Sequence, residues 1–486
     1  MNYKMILSTL GKVLLIEALL LIFPMLVGVI YNDGTFTSFL IPVIALIVLG
    51  TPLSLIRTKY KSIYAKEGFI IVAVAWVILS LIGAIPFVIS GQIPNYIDAV
   101  FETVSGFTTT GASILDSDDL MGLTKGMMFW RIFTHWIGGM GVLVFVLAIM
   151  PGNTSGAMHV FRAESPGPTV GKLVSKLRFT ARILYGIYFV MTVVEMIFLL
   201  CGGNSFYDSV LLSFTTAGTG GFGIEVDSAT SYTSYTQMVI AIFMFLFAIN
   251  FNVYYLLLVG SVGKAFRSEE LRNFVIIVVF ATITISINIF VSMREIYSTF
   301  GSALKHSFFQ VASLSSTTGL STTDFDKWPS YSQAILLFLT IMGACGGSTG
   351  GGIKVSRISI LIKSAFSDLK RLINPRSVVC TKFEGEVVER ETERNVRTHF
   401  ILWILVVIVC VVLLSIDSYG DLFSDFTATL ACIGNVGPGL GAVGPMYSYS
   451  EYSYFSKILL SFVMLVGRLE IFPMLILFVP RTWKRG

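Results

Sequence analysis

Charged residues are scarce in this chain of 486 residues, where Asp, Glu, Lys and Arg together make up only 13%. A soluble protein of ordinary composition carries about 25%. Hydrophobic residues account for 54% of the chain, and the mean hydropathy is +0.79. This composition excludes a typical soluble globular protein. It predicts a helical protein that crosses a membrane several times.

Cysteine and histidine are also few, and neither points to a metal or redox centre. The five cysteines follow no metal-binding or redox spacing, and we expect them to be small apolar fillers. The four histidines show no metal-ligand spacing, and no nucleophile accompanied by a base is found. We therefore expect neither an enzyme nor an organic cofactor in this chain.

We do not expect a cleavable signal peptide either, because Glu17 interrupts the first apolar run and a second run follows directly. Long apolar windows are abundant instead. Each is long enough to cross a hydrocarbon layer of about 30 Å. Examples are Val13–Ile30, Phe39–Ile56, Phe69–Ser90, Ile183–Leu200, Val239–Val259 and His399–Ser415.

Basic residues are clustered along the chain, and 27 of the 34 Lys and Arg fall in six segments. These segments are Lys4/Lys12, Arg57–Lys66, Arg162–Arg182, Lys264–Arg272, Lys354–Arg397 and Arg481–Arg485. The positive-inside rule assigns them to the cytoplasm. Their alternation with segments poor in Lys and Arg predicts ten spans with both termini in the cytoplasm.

Four polar loops that carry glycine recur after the first two spans. They read FTTTGAS (107–113), TTAGTGGFG (215–223), SSTTGLS (315–321) and GNVGPGLG (434–441). Each follows a stretch too short to span a bilayer, which predicts a re-entrant half-helix. These stretches are Asp98–Ser105, Phe206–Phe214, Leu304–Leu314 and Leu422–Cys432. A single loop of this kind would be read as an ordinary turn, but four with similar flanks indicate a repeated unit.

Re-entrant loops expose backbone groups that must be buried in protein or face a water-filled cavity. Four loops on one side of the membrane therefore predict one shared central pore. Glycine permits a positive φ that turns carbonyl oxygens toward an axis, and rings of carbonyls can replace the hydration shell of a cation. Thr hydroxyls could add oxygens. Nearby acids would make the outer mouth negative; they are Glu102, Asp116, Asp118, Asp119, Glu225, Asp227, Asp324 and Asp326.

The chain resembles the Trk/Ktr/HKT potassium transporters, and within them the bacterial TrkH branch. The resemblance rests on TTTGAS, STTGLSTTDF, NVGPGLG and GACGGSTGGGIKVSRI (343–358), and it covers essentially the whole chain. It implies an all-α polytopic protein of the bacterial cytoplasmic (inner) membrane that takes up potassium through a channel-like central pore. The implied division is two N-terminal helices (1–67) and four helix–pore-loop–helix repeats (68–182, 183–271, 272–396 and 397–486).

The resemblance implies a potassium selectivity filter made by the four glycine loops. The residues that match are Thr110, Gly111, Thr219, Gly220, Gly221, Thr318, Gly319, Val436 and Gly437. The second loop allows two registers. Matching the downstream residues (TTGASI with TGGFGI) selects Gly221, whereas matching the upstream Phe107 with Phe214 selects Gly218. We prefer Gly221.

The family also has a gate below the filter, where the third inner helix is broken. The matching stretch here has six glycines among residues 343–352, and each glycine disfavours a helix by about 1 kcal/mol relative to Ala. The implied gate residues are Gly346, Gly347, Ser348, Thr349, Gly350, Gly351, Gly352 and Arg468. Two simpler alternatives stay open. The stretch could be a cytoplasmic linker, and Arg468 could pair with Glu470 or reach the membrane interface.

The segment 373–398 predicts a β-hairpin around Glu384-Gly385, with a plain solvated charged face as the alternative. The resemblance implies that this side docks a cytosolic nucleotide-binding ring of the TrkA type, and that the chain forms a homodimer in the lipid bilayer. Rubidium could replace potassium, and no nucleic acid is expected. The alternative function is a secondary transporter that couples potassium entry to protons or sodium.

Overall fold

The computed structural model describes residues 2–56, 65–141, 177–376, 379–417 and 419–483. Several sequence predictions fall partly outside these ranges. They concern most of the basic segment Arg57–Lys66, residues 162–176 of the next segment, residues 484–486, and the end of the first predicted repeat at 142–176.

The described residues form helices and one small β-hairpin. In chain order the elements are α1 (Tyr3–Tyr31), α2 (Phe36–Ser54), α3 (Ala65–Gly83), α4 (Ile85–Ile89), α5 (Tyr96–Phe107), α6 (Ser117–Gly122), α7 (Lys125–Gly139), α8 (Leu177–Cys201), α9 (Phe206–Gly218), α10 (Ser234–Phe247), α11 (Phe251–Leu258), α12 (Val262–Phe266), α13 (Glu269–Ser292), α14 (Phe300–Ser315), α15 (Ser330–Met342), α16 (Val355–Ile373), β1 (Lys382–Phe383), β2 (Glu386–Val387), α17 (Arg390–Leu414), α18 (Leu422–Gly434), α19 (Tyr454–Arg468), α20 (Phe472–Leu477) and α21 (Pro480–Trp483).

Six described helical segments are long and apolar enough to cross a membrane, and a seventh span results if the bent pair α10 and α11 is counted as one. The six are Tyr3–Tyr31, Phe36–Ser54, Lys66–Ile89, Ala181–Cys201, Glu269–Ser292 and Arg390–Leu414. Five of the six apolar windows named from the sequence coincide with such segments. The sixth, Val239–Val259, coincides with the bent pair, whose two helices meet at 88°.

Four short helices, α5, α9, α14 and α18, lie where the sequence predicts half-helices. They contain 12, 13, 16 and 13 residues, so at about 1.5 Å per residue none can span a bilayer. Each begins at a side chain that accepts a hydrogen bond from a backbone N–H of the first turn. These N-caps are Asn95, Ser205, Thr299 and Asp421.

The same four helices also end alike. In each, the residue after the last turn has left-handed backbone, and the following N–H donates to the carbonyl five residues earlier, which is the Schellman arrangement. The left-handed residues are Thr109, Thr219, Thr317 and Asn435, with φ of 53°, 52°, 62° and 53°. The four donors are Thr110, Gly220, Thr318 and Val436, at 2.9, 2.9, 2.8 and 2.9 Å.

Three of the helices that follow the glycine loops are interrupted within the described residues. Helix α10 ends at Phe247, α15 at Met342 and α19 at Arg468, while the described part of α7 ends at Gly139. The sequence predicts a break only in the third, where glycines are dense. The other breaks have different causes. Asn250 caps α11 after the bend, and Glu470 and Ile471 take positive φ values of 60° and 67°. Interrupted inner helices explain why length and composition alone count fewer spans than the ten predicted.

The predicted hairpin is present, with strands of two residues each. Lys382 pairs with Val387 and Phe383 with Glu386 in antiparallel register. Glu384 and Gly385 both have positive φ, at 53° and 80°, as a tight two-residue hairpin turn requires. Phe383 packs into a small apolar cluster with Ile360 of α16 and Val396 of α17, which fixes the hairpin against these helices.

Candidate cation pathway

The four glycine loops meet in a closed ring. A Cβ placed on Gly111 would collide with the carbonyl oxygen of Gly220 in the second loop. In the same way, Gly221 lies against the carbonyl of Thr318, and Gly319 against that of Val436. The ring closes at Gly437, where a Cβ would lie 2.6 Å from the carbonyl oxygen of Thr110. Each loop thus presents its glycine to the carbonyl of the next loop in chain order.

The ring carbonyls are candidates to bind a cation. Among the residues that the structure describes, no hydrogen bond reaches the carbonyl oxygens of Thr110, Gly220, Thr318 and Val436. Their N–H groups are consumed at the ends of the short helices, whose partially negative C-termini face the ring. In the same described ranges, no group of three or more His, Cys, Asp or Glu is placed to hold a metal ion. The available ligands are therefore backbone carbonyl oxygens, which suit a monovalent cation.

The second loop follows the register that contains Gly221. Gly111, Gly221, Gly319 and Gly437 share φ values of 78°, 86°, 85° and 93°. Gly218 instead closes α9, and Thr219 takes the left-handed place one residue before the ring. The extra glycine at 220 also has a steric reason. A Cβ there would overlap the imidazole ring of buried His135, whose Nδ1 lies 2.9 Å from the carbonyl oxygen of Gly106.

The Thr hydroxyls near the ring brace the loops. The Thr110 hydroxyl lies 2.7 Å from that of Thr108, and the Asn435 amide donates to it at 3.0 Å. The Thr318 hydroxyl makes the equivalent contact with Ser316 at 2.7 Å. The fourth loop has Val436 at this place. Two of these contacts therefore lie within a loop, and that of Thr110 with Asn435 joins the first loop to the fourth; the described hydroxyls do not form a four-membered oxygen ring.

A cavity of about 440 Å³ opens on one side of the ring and is lined by all four ring glycines. Of the eight acids predicted at the outer mouth, Asp116, Asp118 and Glu225 line this cavity. Asp324 is partly neutralised, because Lys327 donates to it at 3.0 Å, and this bond and the attraction of the charges raise the pKa of the Lys327 ammonium.

Glu102 does not belong to this mouth, which corrects the sequence prediction. Its side chain is 1% exposed and pairs with Arg131, whose Nε lies 2.6 Å from Glu102 Oε1. Arg131 also donates to the Gly223 carbonyl and to the Ser113 hydroxyl, both at 3.1 Å, and stacks over Phe222. Arg131 therefore ties the first loop to the second. Arg131 could not be recognised from the sequence, because it lies inside an apolar helix and belongs to no motif.

The other neighbouring loops are joined by neutral or singly charged contacts. Ala229 N donates to the Ser321 carbonyl at 2.8 Å between the second and third loops, and Gly441 N donates to Asp326 at 3.0 Å between the third and fourth. Tyr449 connects the fourth loop to the first. Its hydroxyl donates to the Gly437 carbonyl and its N–H to the Ser113 carbonyl, both at 2.8 Å.

The glycine-rich stretch, here called loop 343–354, packs against the short helices on the side of their C-termini. Gly351 N donates to the Thr317 hydroxyl at 2.6 Å, and a Cβ on Gly350 would lie 2.6 Å from the Ser316 carbonyl oxygen. Most of this loop is buried, including Lys354, which is 1% exposed. The interpretation as a solvated cytoplasmic linker is therefore wrong. The basic segment Lys354–Arg397 likewise begins inside the protein and not in solvent.

Loop 343–354 also contacts the break in the second inner helix. Cys345 N donates to the Ala248 carbonyl at 3.1 Å, and Phe251 N donates to the Gly347 carbonyl at 3.0 Å. Glu270, at the start of α13, accepts from Gly346 N at 2.7 Å. The loop thus contacts the junction of α10 and α11 as well as α13. Sequence reasoning missed Glu270, whose only signal was an acid directly before a long apolar helix.

Arg468 lies beside this loop at the end of α19. It donates to the Thr349 carbonyl at 2.9 Å and to the carbonyls of Gly138 and Gly139 at the end of α7. Glu470 forms its ion pair with Arg357 of α16. The structure therefore brings Arg468 together with the predicted gate residues, while Glu470 is engaged by a different arginine.

Comparisons with known proteins cover most or all of the chain. A family model described as TrkH, cation transport protein, matches residues 36–485. The Trk system potassium uptake protein TrkH of Escherichia coli strain K12 is 34% identical, with 100% of both chains covered. The TrkH protein of Vibrio parahaemolyticus serotype O3:K6 is 33% identical, again over 100% of both.

A solved structure matches as well. The crystal structure of the potassium transporter TrkH from Vibrio parahaemolyticus superimposes with a TM-score of 0.89 at 30% identity, covering 100% of both chains. This likeness and the apolar helices together make the chain an all-α polytopic membrane protein. The chain belongs to the TrkH family of cation transport proteins.

Proposed function

We propose that this protein takes up potassium across the bacterial cytoplasmic membrane through the ring of four glycine loops. The observation that carries the proposal is the closed order of the ring, in which each glycine lies against a carbonyl of the next loop that accepts no hydrogen bond from the described residues. Such oxygens can replace the hydration shell of a potassium ion. The relatives from Escherichia coli and Vibrio parahaemolyticus, named as potassium uptake proteins, support this substrate.

In this proposal the selectivity filter consists of the residues named from the sequence, and loop 343–354 with Arg468 forms the gate. The loop is packed under Thr317 and Ser316, next to the ring, where it would obstruct an ion leaving the filter. The Arg468 guanidinium holds the loop to α7 through backbone carbonyls. Its positive charge would also oppose a cation resting nearby.

The remaining expectations are part of the same proposal. Both termini and the hairpin lie in the cytoplasm, where a nucleotide-binding ring would dock and control the gate. The chain forms a homodimer with one pathway per protomer. It is divided into two N-terminal helices and four repeats at the boundaries predicted above, and it carries no catalytic site.

The experiment is rubidium uptake into liposomes that carry the purified chain, with Gly319→Asp as the test variant. A side chain at Gly319 would strike the Val436 carbonyl of the ring, so we expect uptake to fall at least tenfold or selectivity over sodium to be lost. Gly301→Asp is the matched control, since Gly301 is exposed and nothing lies within 4 Å of its Cβ position. Wild-type uptake and selectivity in folded Gly319→Asp would contradict the filter assignment.

One observation favours the second candidate, a transporter that couples potassium to protons. Glu17 lies in the middle of α1, is fully buried, and both its carboxylate oxygens lack a hydrogen-bond partner among the described residues. An unpaired acid within a membrane span is a candidate proton site. The two functions differ in one assay, because only a coupled transporter would drive rubidium against its own gradient when a proton gradient is imposed.

A further inference from the structure

The start of α13 connects two distant parts of the protein. Glu270 sits in the first turn of this helix, where its backbone N–H points to one neighbour and its side chain to others. The N–H donates to Oε1 of Glu384, the turn residue of the hairpin, at 3.0 Å. The Glu270 side chain, on a residue only 5% exposed, contacts loop 343–354. One residue therefore touches both the hairpin and the proposed gate.

The contact with the hairpin is a helix cap supplied from another element. Oε2 of Glu384 accepts from Glu269 N at 3.0 Å, and Oε1 also accepts from the Ser268 hydroxyl at 2.8 Å. A carboxylate at a helix N-terminus satisfies free N–H groups and interacts favourably with the helix dipole. Glu269 returns the contact by accepting from Glu384 N at 3.2 Å. The hairpin turn is thereby fastened to the first turn of α13.

The Glu270 carboxylate accepts hydrogen bonds from both ends of the loop, an arrangement here called the bracket. Oε1 of Glu270 accepts from Gly346 N at 2.7 Å, near the start of the loop, and from Ser356 N at 3.2 Å, just after its end. Oε2 accepts from the Asn250 amide at 3.2 Å, at the break in the second inner helix. A single carboxylate holds both ends of the loop and its neighbouring repeat. Hydrogen bonds to a charged acceptor are the stronger kind.

We propose that Glu270 is a positioning residue that keeps loop 343–354 closed beneath the ring, and that Glu384 sets the position of Glu270. A partner that draws the hairpin away from α13 would remove the cap, shift the first turn of α13, and loosen the bracket on the loop. Hairpin and loop are then one mechanical unit, with no need for contact between the partner and the loop. This inference rests on the proposed gating role of the loop.

The test compares basal rubidium uptake of Glu270→Ala, Glu384→Ala and the double variant. The purified full-length chain is reconstituted in liposomes without any cytosolic subunit. Loss of bonds to a charged acceptor corresponds to a shift of roughly tenfold in the balance between closed and open loop. We expect each single variant to raise uptake about tenfold. The double variant should exceed neither, because the two residues act in series.

Glu386→Gln is the matched control, since Glu386 is exposed on the same hairpin and takes no part in the cap. Arg468→Ala provides the reference for the gate itself. If Arg468→Ala raises uptake and Glu384→Ala does not, the link from the hairpin is wrong while the gate stands. If none of the variants raises uptake, the proposed gate is wrong.

Two further outcomes decide the remaining cases. Additive effects of Glu270→Ala and Glu384→Ala would show independent roles and overturn the inference. If Glu270→Ala does not fold, Glu384→Ala carries the test, because its side chain lies on an exposed turn outside the membrane helices. If Glu384 only stabilised the folded protein, its removal would lower rubidium uptake. Lower uptake by folded Glu384→Ala therefore also contradicts the inference.

Discussion

Replacing Arg131 with Met removes the guanidinium that ties the first glycine loop to the second, while it keeps an unbranched apolar side chain at this position. In the native protein the Arg131 and Glu102 side chains are 3% and 1% exposed. The guanidinium also holds the Gly223 carbonyl and the Ser113 hydroxyl. The variant therefore leaves the buried Glu102 carboxylate without its ion-pair partner, although Ser113 and Ile114 N still donate to it. The partly buried Gly223 carbonyl and Ser113 hydroxyl each lose one donor.

The expected cost is large because a buried charge without a partner is unfavourable. Removing one member of a buried ion pair typically destabilises a protein by about 3–5 kcal/mol. The double variant with Glu102→Gln should recover part of this loss, since the uncompensated carboxylate is then gone. The first and second loops should also separate at their outer ends. We therefore expect weaker discrimination between rubidium and sodium even in the protein that remains folded.

Thermal unfolding in detergent measures the first effect, and paired rubidium and sodium uptake in liposomes measures the second. Lys125→Met serves as control, because Lys125 is an exposed cation on the same helix, in contact with the Tyr207 ring at 4.7 Å. Its loss should cost at most about 1 kcal/mol. An Arg131→Met protein as stable and as selective as the control would refute the reasoning.

Two other substitutions test the ring and the loop beneath it. Gly220→Ala should destabilise the protein by about 1–3 kcal/mol and reduce rubidium uptake, because the new methyl group overlaps the His135 ring. Thermal unfolding and uptake measure the two effects, and wild-type values of both would contradict the close contact between Gly220 and His135. Thr317→Val should raise basal uptake several-fold, because Gly351 N loses its acceptor at a cost of about 1–3 kcal/mol. Unchanged uptake would show that this bond does not hold the loop.

The sequence predicts the short helices and the glycine positions well because both follow local rules. Asn95, Ser205, Thr299 and Asp421 are ordinary N-caps, and each precedes an amphipathic stretch too short to span. The sequence alone leaves the register of the second glycine loop undecided, because its alignment on Gly221 and its alignment on Gly218 are equally simple. Backbone conformation separates them, since Gly221 alone has the φ of the other ring glycines while Gly218 ends a helix.

Long-range contacts between polar groups could not be read from the chain. Glu102 and Arg131 are 29 residues apart, and Glu270 and Gly346 are 76 apart. No periodicity or motif links such pairs, and an acid near the outer mouth reads as an exposed charge until its partner is known. The breaks in α10 and α19 were missed for a similar reason. A single Asn, or two residues with positive φ, interrupts these helices without the density of glycine that marks loop 343–354.

The residues just before the ring carry a conformation that local rules disfavour. Thr109, Thr219 and Thr317 are β-branched, yet all three take the left-handed backbone that Gly or Asn adopts more readily. Such strain, of order 1–3 kcal/mol per residue, persists only where the surroundings impose it and where function benefits. Thr317 shows one benefit, because its hydroxyl accepts from Gly351 of the loop below. Asn435, at the same place in the fourth loop, donates to Thr110 of the first. A glycine at either position would relieve the backbone and lose the contact, so these strained side chains join the ring to its neighbours.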